Sequence, residues 1–144
     1  MINIIDELDK IKAKLKALSF INYIDYYPNF QLGNRLDAIM IKIDNSDEIE
    51  EFSDNMRVRV PVSFIYINKS KKNKLNPLLK RFNTIAETIN TNKKITDFLN
   101  FQINDLDFGN ENFFNFDNQD PQTGNYENLA VKSVNCWFEY CIKN

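Results

Sequence analysis

The 144-residue sequence contains no histidine, three glycines, four prolines, two cysteines and a single tryptophan. Each shortage closes off a class of chemistry. Without imidazole there is no Ser-His or Cys-His nucleophile, no HExxH zinc helix and no side chain that ordinarily titrates near neutrality. Gly33, Gly109 and Gly124 stand too far apart to build a phosphate-cradling or dinucleotide-binding loop. Cys136 and Cys141 lie in a segment patterned as a strand, at positions that alternation sends to opposite faces, so they suit neither a mutual disulfide nor a zinc site. Apolar runs of the ~18 residues that a membrane span requires are missing. The opening "MINIIDELDK" carries acids where a secretory signal carries basic residues, so residence in the cytoplasm, away from membranes, is expected.

What is present is a chain built to fold. Hydrophobic residues make up 43% and aromatics 13% of the sequence, enough to offset ordering entropy by burial. Its length suits a single domain over residues 1–144. A net charge of −2 gives no general attraction to nucleic acid or anionic lipid.

Ile5, Leu8, Ile11, Leu15 and Leu18 recur at helical spacing, with acids early and lysines late, which predicts an amphipathic helix from Asn3 to Leu18. "FINYIDYYP" and "LDAIMIKID" predict two strands, separated by Pro28 and the turn residues Gly33 and Asn34. An acidic loop from Asp44 to Asp54 is then expected. After it, Val58, Val60, Val62, Phe64 and Tyr66 alternate with Arg57, Arg59, Pro61 and Ser63 in a strand that Pro61 makes an edge or bulges at that point. Asn76 and Pro77 read as the cap and first residue of a second helix, whose apolar stripe runs from Leu78 to Ile89. Leu99, Phe101 and Ile103 predict a further strand. Val134, Cys136, Phe138, Tyr140 and Ile142 predict a long terminal one. Helices and strands do not alternate regularly, so the expected fold is α+β, a mixed and mostly antiparallel sheet covered by two amphipathic helices.

Three surface features invite function. The acids of 44–54, among them Asp47, Glu48 and Glu50, and the lysines of "KSKKNK", among them Lys71 and Lys72, read as solvated loops or as contacts to a partner of opposite charge. Phe113, Phe114 and Phe116 stand on an Asn- and Asp-rich segment read as a loop; they pack back on the core or meet a partner. Asp117 and Asp120 suggest a cation, but with Gly124 at the glycine position of a calcium loop, Gln119 and Ala130 occupy the places that need carboxylates. Acid–base chemistry on Asp105, Asp107 or Asp117 would make a small enzyme or ligand-binding domain. A protein-binding adaptor is a further alternative. No catalytic, cofactor or metal residues are assigned.

The order of elements, carried by "RVRVPVSFIYI" at 57–67, the helix from Pro77 and "LAVKSVNCWFEY" at 129–140, resembles the tail terminator family of tailed bacteriophages. The resemblance implies a non-enzymatic virion protein, without cofactor, assembled in the host cytoplasm. It also implies a hexameric ring that caps the tail tube, ends its polymerisation and joins it to the head connector, with DNA passing through without sequence-specific binding. Related neck and tail completion proteins share the outline. On this reading Phe113, Phe114, Phe116, Asp47, Glu48, Glu50, Lys71 and Lys72 are the expected interaction residues.

Overall fold

The structure, a computed structural model, describes the backbone at residues 3–44, 47–52, 55–69, 75–96, 100–105, 114–119 and 126–143, and side chains at 3–44, 56–69, 76–96 and 129–141. Helix α1 spans Ile4–Lys16. Asn3 caps it, its side-chain oxygen accepting from the Ile5 N–H at 3.0 Å, and Asp6 and Glu7 in the first turn oppose Lys14 and Lys16 in the last. The helix stops two residues before the expected Leu18, whose N–H makes a tighter bond to the Leu15 carbonyl at 3.1 Å. Helix α2 spans Leu75–Asn92. It begins before Asn76, so Asn76 and Pro77 sit inside the first turn rather than at its cap. The ring of Pro77 still removes no bond there, because first-turn N–H groups have no intrahelical acceptor.

Among the described residues seven strands form one sheet: β1 (Tyr23–Tyr26), β2 (Asp37–Ile43), β3 (Asp47–Phe52), β4 (Asn55–Asn68), β5 (Asn100–Asp105), β6 (Phe114–Gln119) and β7 (Tyr126–Lys143). Strands β1 and β2 pair parallel; every other pairing is antiparallel. Strand β4 pairs with β7 along its whole length, from Asn55 opposite Lys143 to Asn68 opposite Ala130. This long ribbon is the spine. On its one side β2 and then β3 run along β4; on its other side β5 and β6 run along β7.

Two segments expected as loops are strands. The acidic stretch holds β3, with Asp47 opposite Arg59 and Glu50 opposite Arg57. The aromatic stretch holds β6, with Phe114 opposite Val131 and Phe116 opposite Leu129. Polar composition argues against strand locally, but β4 and β7 extend far enough to offer each segment a ladder, and pairing overrides propensity. Phe113, Lys71 and Lys72 lie outside the described residues.

Pro61 sits in the central ribbon, yet on a local edge. Its carbonyl accepts from the Asp44 N–H at 3.0 Å, so its nitrogen faces the same side, where β2 has ended at Ile43 opposite Val62 and β3 begins only at Asp47 opposite Arg59. The missing donor falls in the gap between two strands.

Both helices pack on one face of the sheet. That face presents Ile39 and Ile41 from β2, Val58, Val60, Val62, Phe64 and Tyr66 from β4, and Val134, Cys136 and Phe138 from β7, all buried. Leu8, Ile11 and Leu15 of α1 and Phe82, Ile85 and Ile89 of α2 close over it in the same cluster. The alternation read from the sequence therefore has its apolar set under the helices, and the fold is α+β with helices covering a mixed, mostly antiparallel sheet.

Candidate functional site

The Asn68 end of the spine is fastened by a buried polar cluster. Asp37 opens β2 with 5% of its surface exposed, and Tyr66 and Asn68 stand near the end of β4 at 0% and 3%. The register puts Asp37 beside Asn68, and alternation on β4 turns Tyr66 toward α2. The Asp37 carboxylate accepts from the Tyr66 hydroxyl, from the Asn68 amide at 2.9 Å, and from Arg81 of α2, whose NH1 lies 2.9 Å from both oxygens. Burial, and next the hydrogen bond to Asp37, push the Tyr66 phenol well above its ordinary pKa. The hydroxyl therefore stays a donor. Both carboxylate oxygens accept from the chain's own donors, and through Arg81 the cluster locks α2 to the sheet.

Beside this lock the connection between β1 and β2 forms an ordered aromatic knot. The Tyr23 and Phe30 rings are 5.1 Å apart, the Arg35 guanidinium lies 4.1 Å over Tyr23, and Arg35 also donates to the Gln31 carbonyl at 2.9 Å. Gly33 turns the chain at φ +58°, and its carbonyl accepts from the Lys69 ammonium at 2.7 Å. The Lys69 N–H binds the Leu36 carbonyl at 2.7 Å, tying the knot to the end of β4. Leu36, at this end of β2, is 56% exposed; Tyr27, whose N–H donates to the Ile41 carbonyl farther along β2, is 58% exposed with the Lys42 ammonium 5.6 Å over its ring.

The sheet face turned away from the helices carries a different set. Arg59 lies 4.1 Å over the Trp137 ring and reaches Glu139 at 3.4 Å; Ser63 donates to Asn135 at 2.9 Å. Pro61 and Trp137 face one another in the register. Cross-strand pairs of this kind fix register and present a polar-aromatic row.

The expected interaction residues divide between the two ends. Asp47, Glu48 and Glu50 stand on β3 at the Asn55 end of β4. Phe114 and Phe116 stand on β6, which pairs with the opposite reach of β7, from Val131, level with Ile67, outward past the Asn68 end. The structure brings these two groups to different places. Asp105 ends β5 opposite Asn135 and Asp117 lies on β6 opposite Asn128, at separate stretches of β7, whereas Asp107 and Asp120 lie outside the described residues. Among the described residues no cluster of three or more metal-ligating side chains occurs. No described helix is long and apolar enough to cross a membrane.

Sequence reasoning missed the Asp37 lock and the aromatic knot. Asp37 and Tyr66 were visible as a strand start and a core position, but nothing in the spacing showed that they meet across 29 residues. No protein-family model matches this chain, and no curated protein matches it either.

Proposed function

We propose that this chain is a structural assembly protein that caps a phage tail tube as an oligomeric ring, ends its polymerisation and forms the joint to the head connector. The observation that carries the reading is the layout of the sheet. Among the described residues both helices pack on one face, and β4 and β7 form a long spine with short strands β3 and β6 paired at its opposite ends. Such a subunit offers strand edges and one broad sheet face for contacts to copies and to a tube, on a scaffold held rigid by its core. The order helix, strands, helix, strands agrees with the tail terminator resemblance. The polar lock at Asp37 ties β2, β4 and α2 together through hydrogen bonds within the chain, which suits a scaffold.

On this reading the ring is a hexamer, its partners are the tail tube and a neck protein, and DNA passes through its lumen. Another neck or tail completion protein of the same outline is the second reading, favoured by the aromatic strand β6 that the chain adds before its terminal strand. Negative-stain imaging of the purified protein, alone and with tail tubes, tests the proposal. Rings, and tubes capped at one end, are the expected result. A protein that stays monomeric at high concentration and ignores tubes overturns it. Replacing Phe114 and Phe116 by Ser is expected to leave the far-ultraviolet spectrum and unfolding midpoint unchanged while weakening assembly; loss of the fold instead would place both rings in the core.

A further inference from the structure

The sheet face turned away from the helices carries apolar side chains that the chain leaves half covered. Alternation on β2, β4 and β7 puts Met40, Pro61, Ile65, Val131 and Trp137 there, all half-buried, and no described helix packs over them. Tryptophan, methionine and arginine are residues that protein interfaces gather. The charged side chains described on this face of β1, β2, β4 and β7 are Asp25, Lys42, Arg57, Arg59 and Glu139. Asp25 accepts from the Tyr23 hydroxyl at 3.2 Å and the Tyr26 N–H at 2.8 Å, and Lys42 lies 5.6 Å over the Tyr27 ring. Arg59 is less well served. Its NH2 reaches Glu139 at 3.4 Å, longer than the ~2.7–2.9 Å of a charge-assisted bond, and its Nε is buried without an acceptor.

The rows across the spine are complementary pairs: Arg59 opposite Glu139, Pro61 opposite Trp137, Ser63 opposite Asn135. A two-fold axis lying along the spine, between β4 and β7, carries β4 of one copy over β7 of another at the same level. Every row then meets its own complement, Arg59 against the partner's Glu139 and Pro61 against the partner's Trp137. An axis across the strands at Pro61 would instead set Arg57 against the partner's Ile65. Strands β2, β4, β7 and β5 run side by side ~4.8 Å apart, and at ~3.3 Å per residue they make a face of about 500 Å². Two such faces bury about 1,000 Å², the lower bound for a specific interface, so the pair is expected to be weak.

We infer that this face receives a second copy of this chain, sheet on sheet at ~10 Å with the strands within ~30° of one another, about a two-fold axis along the β4–β7 spine. Such a pair can exist with or without a ring, and Trp137 stands at its centre.

Trp137 is the only tryptophan in the sequence, so its fluorescence reports this contact directly. Sedimentation velocity on the full chain over a concentration series is expected to show dimers. Over the same range the Trp137 emission is expected to shift to the blue and to lose accessibility to acrylamide. Arg59→Glu and Glu139→Arg are each expected to weaken association by about tenfold or more. An equal mixture of the two restores it, because each variant then supplies the charge the other lacks. Ser63→Lys with Asn135→Lys sets four ammonium groups near the axis and is expected to abolish pairing while the far-ultraviolet spectrum stays that of the parent. Association that leaves Trp137 emission and quenching unchanged, or that survives Ser63→Lys with Asn135→Lys, overturns the face-to-face contact and leaves the ring reading standing. A chain that is monomeric alone, yet shifts its Trp137 emission when tail tubes are added, assigns the face to the tube and overturns the pair. A chain that stays monomeric at every concentration overturns the pair as well, and the ring reading falls with it only if tubes are also ignored.

Discussion

Asp37 is the residue on which most polar groups depend. Tyr66, Asn68 and Arg81 all donate to it, and its side chain is only 8% exposed while that of Arg81 is 40% exposed. Removing the acceptor strands several donors at once. Asp37→Ala is expected to cost about 3–5 kcal/mol in urea unfolding, against about 1 kcal/mol or less for Arg81→Ala, which leaves Asp37 its other partners. Equal losses would show that the ion pair, rather than the buried cluster, holds this corner. Titration above neutrality probes the same residues. Burial and then the bond to Asp37 raise the Tyr66 pKa, and burial and then the bond to Asp9 raise that of Tyr26. Unfolded phenols ionise near pH ~10. The unfolded chain then binds fewer protons than the folded one, so the contribution is fully present below that pH and is lost as pH rises toward the folded values. For Tyr66 the fall is about 1.4 kcal/mol per pH unit, and Tyr66→Phe should flatten it in a series of urea melts. The cysteines differ by the same logic. Cys136 is buried, its thiol pKa is raised by desolvation and its S–H donates to the Val62 carbonyl at 3.2 Å, whereas Cys141 is exposed. A thiol reagent is expected to modify Cys141 alone in the native protein and both in denaturant; rapid native modification of Cys136 would contradict its place in the core.

At the scale of elements, helix α1 is held by its stripe and its cap. Ile11 is fully buried, while Ile5, on the same predicted stripe, is 39% exposed. Ile11→Ala should cost about 2–5 kcal/mol and Ile5→Ala no more than about 0.5 kcal/mol by thermal unfolding. Asn3→Ala, which removes the acceptor of the Ile5 N–H, should cost about 1 kcal/mol. Tyr26 binds the helix to β1 through Asp9 at 2.6 Å, so this edge strand is anchored from the helix side as well as by β2. In the β1–β2 connection, Gly33 adopts a left-handed conformation at φ +58°, and an added Cβ would lie 3.4 Å from Arg35. Gly33→Ala is expected to cost about 1–2 kcal/mol and to loosen the grip of Lys69 on the turn, measurable as faster exchange of the Lys69 amide.

Across the whole molecule, the two long antiparallel strands decide what the short ones can do. β4 and β7 carry the core on their helix-facing side and supply ladder positions to β2, β3, β5 and β6 along their outer sides. Segments too polar to be strands alone become strands when such a partner runs past them.

The sequence by itself determined the amphipathic face of α1, the stripe of α2, the alternation of β4 and β7 and the opposite placement of Cys136 and Cys141, because each depends on a local period that side-chain chemistry imposes on the backbone. Pro61 was legible too as a local edge, since a missing N–H constrains any ladder. Tertiary structure alone decided that β3 and β6 are strands and that Asp37 meets Tyr66 and Arg81. These depend on register between distant segments, and register is set by the summed packing of a whole sheet on its helices rather than by any residue's own preference.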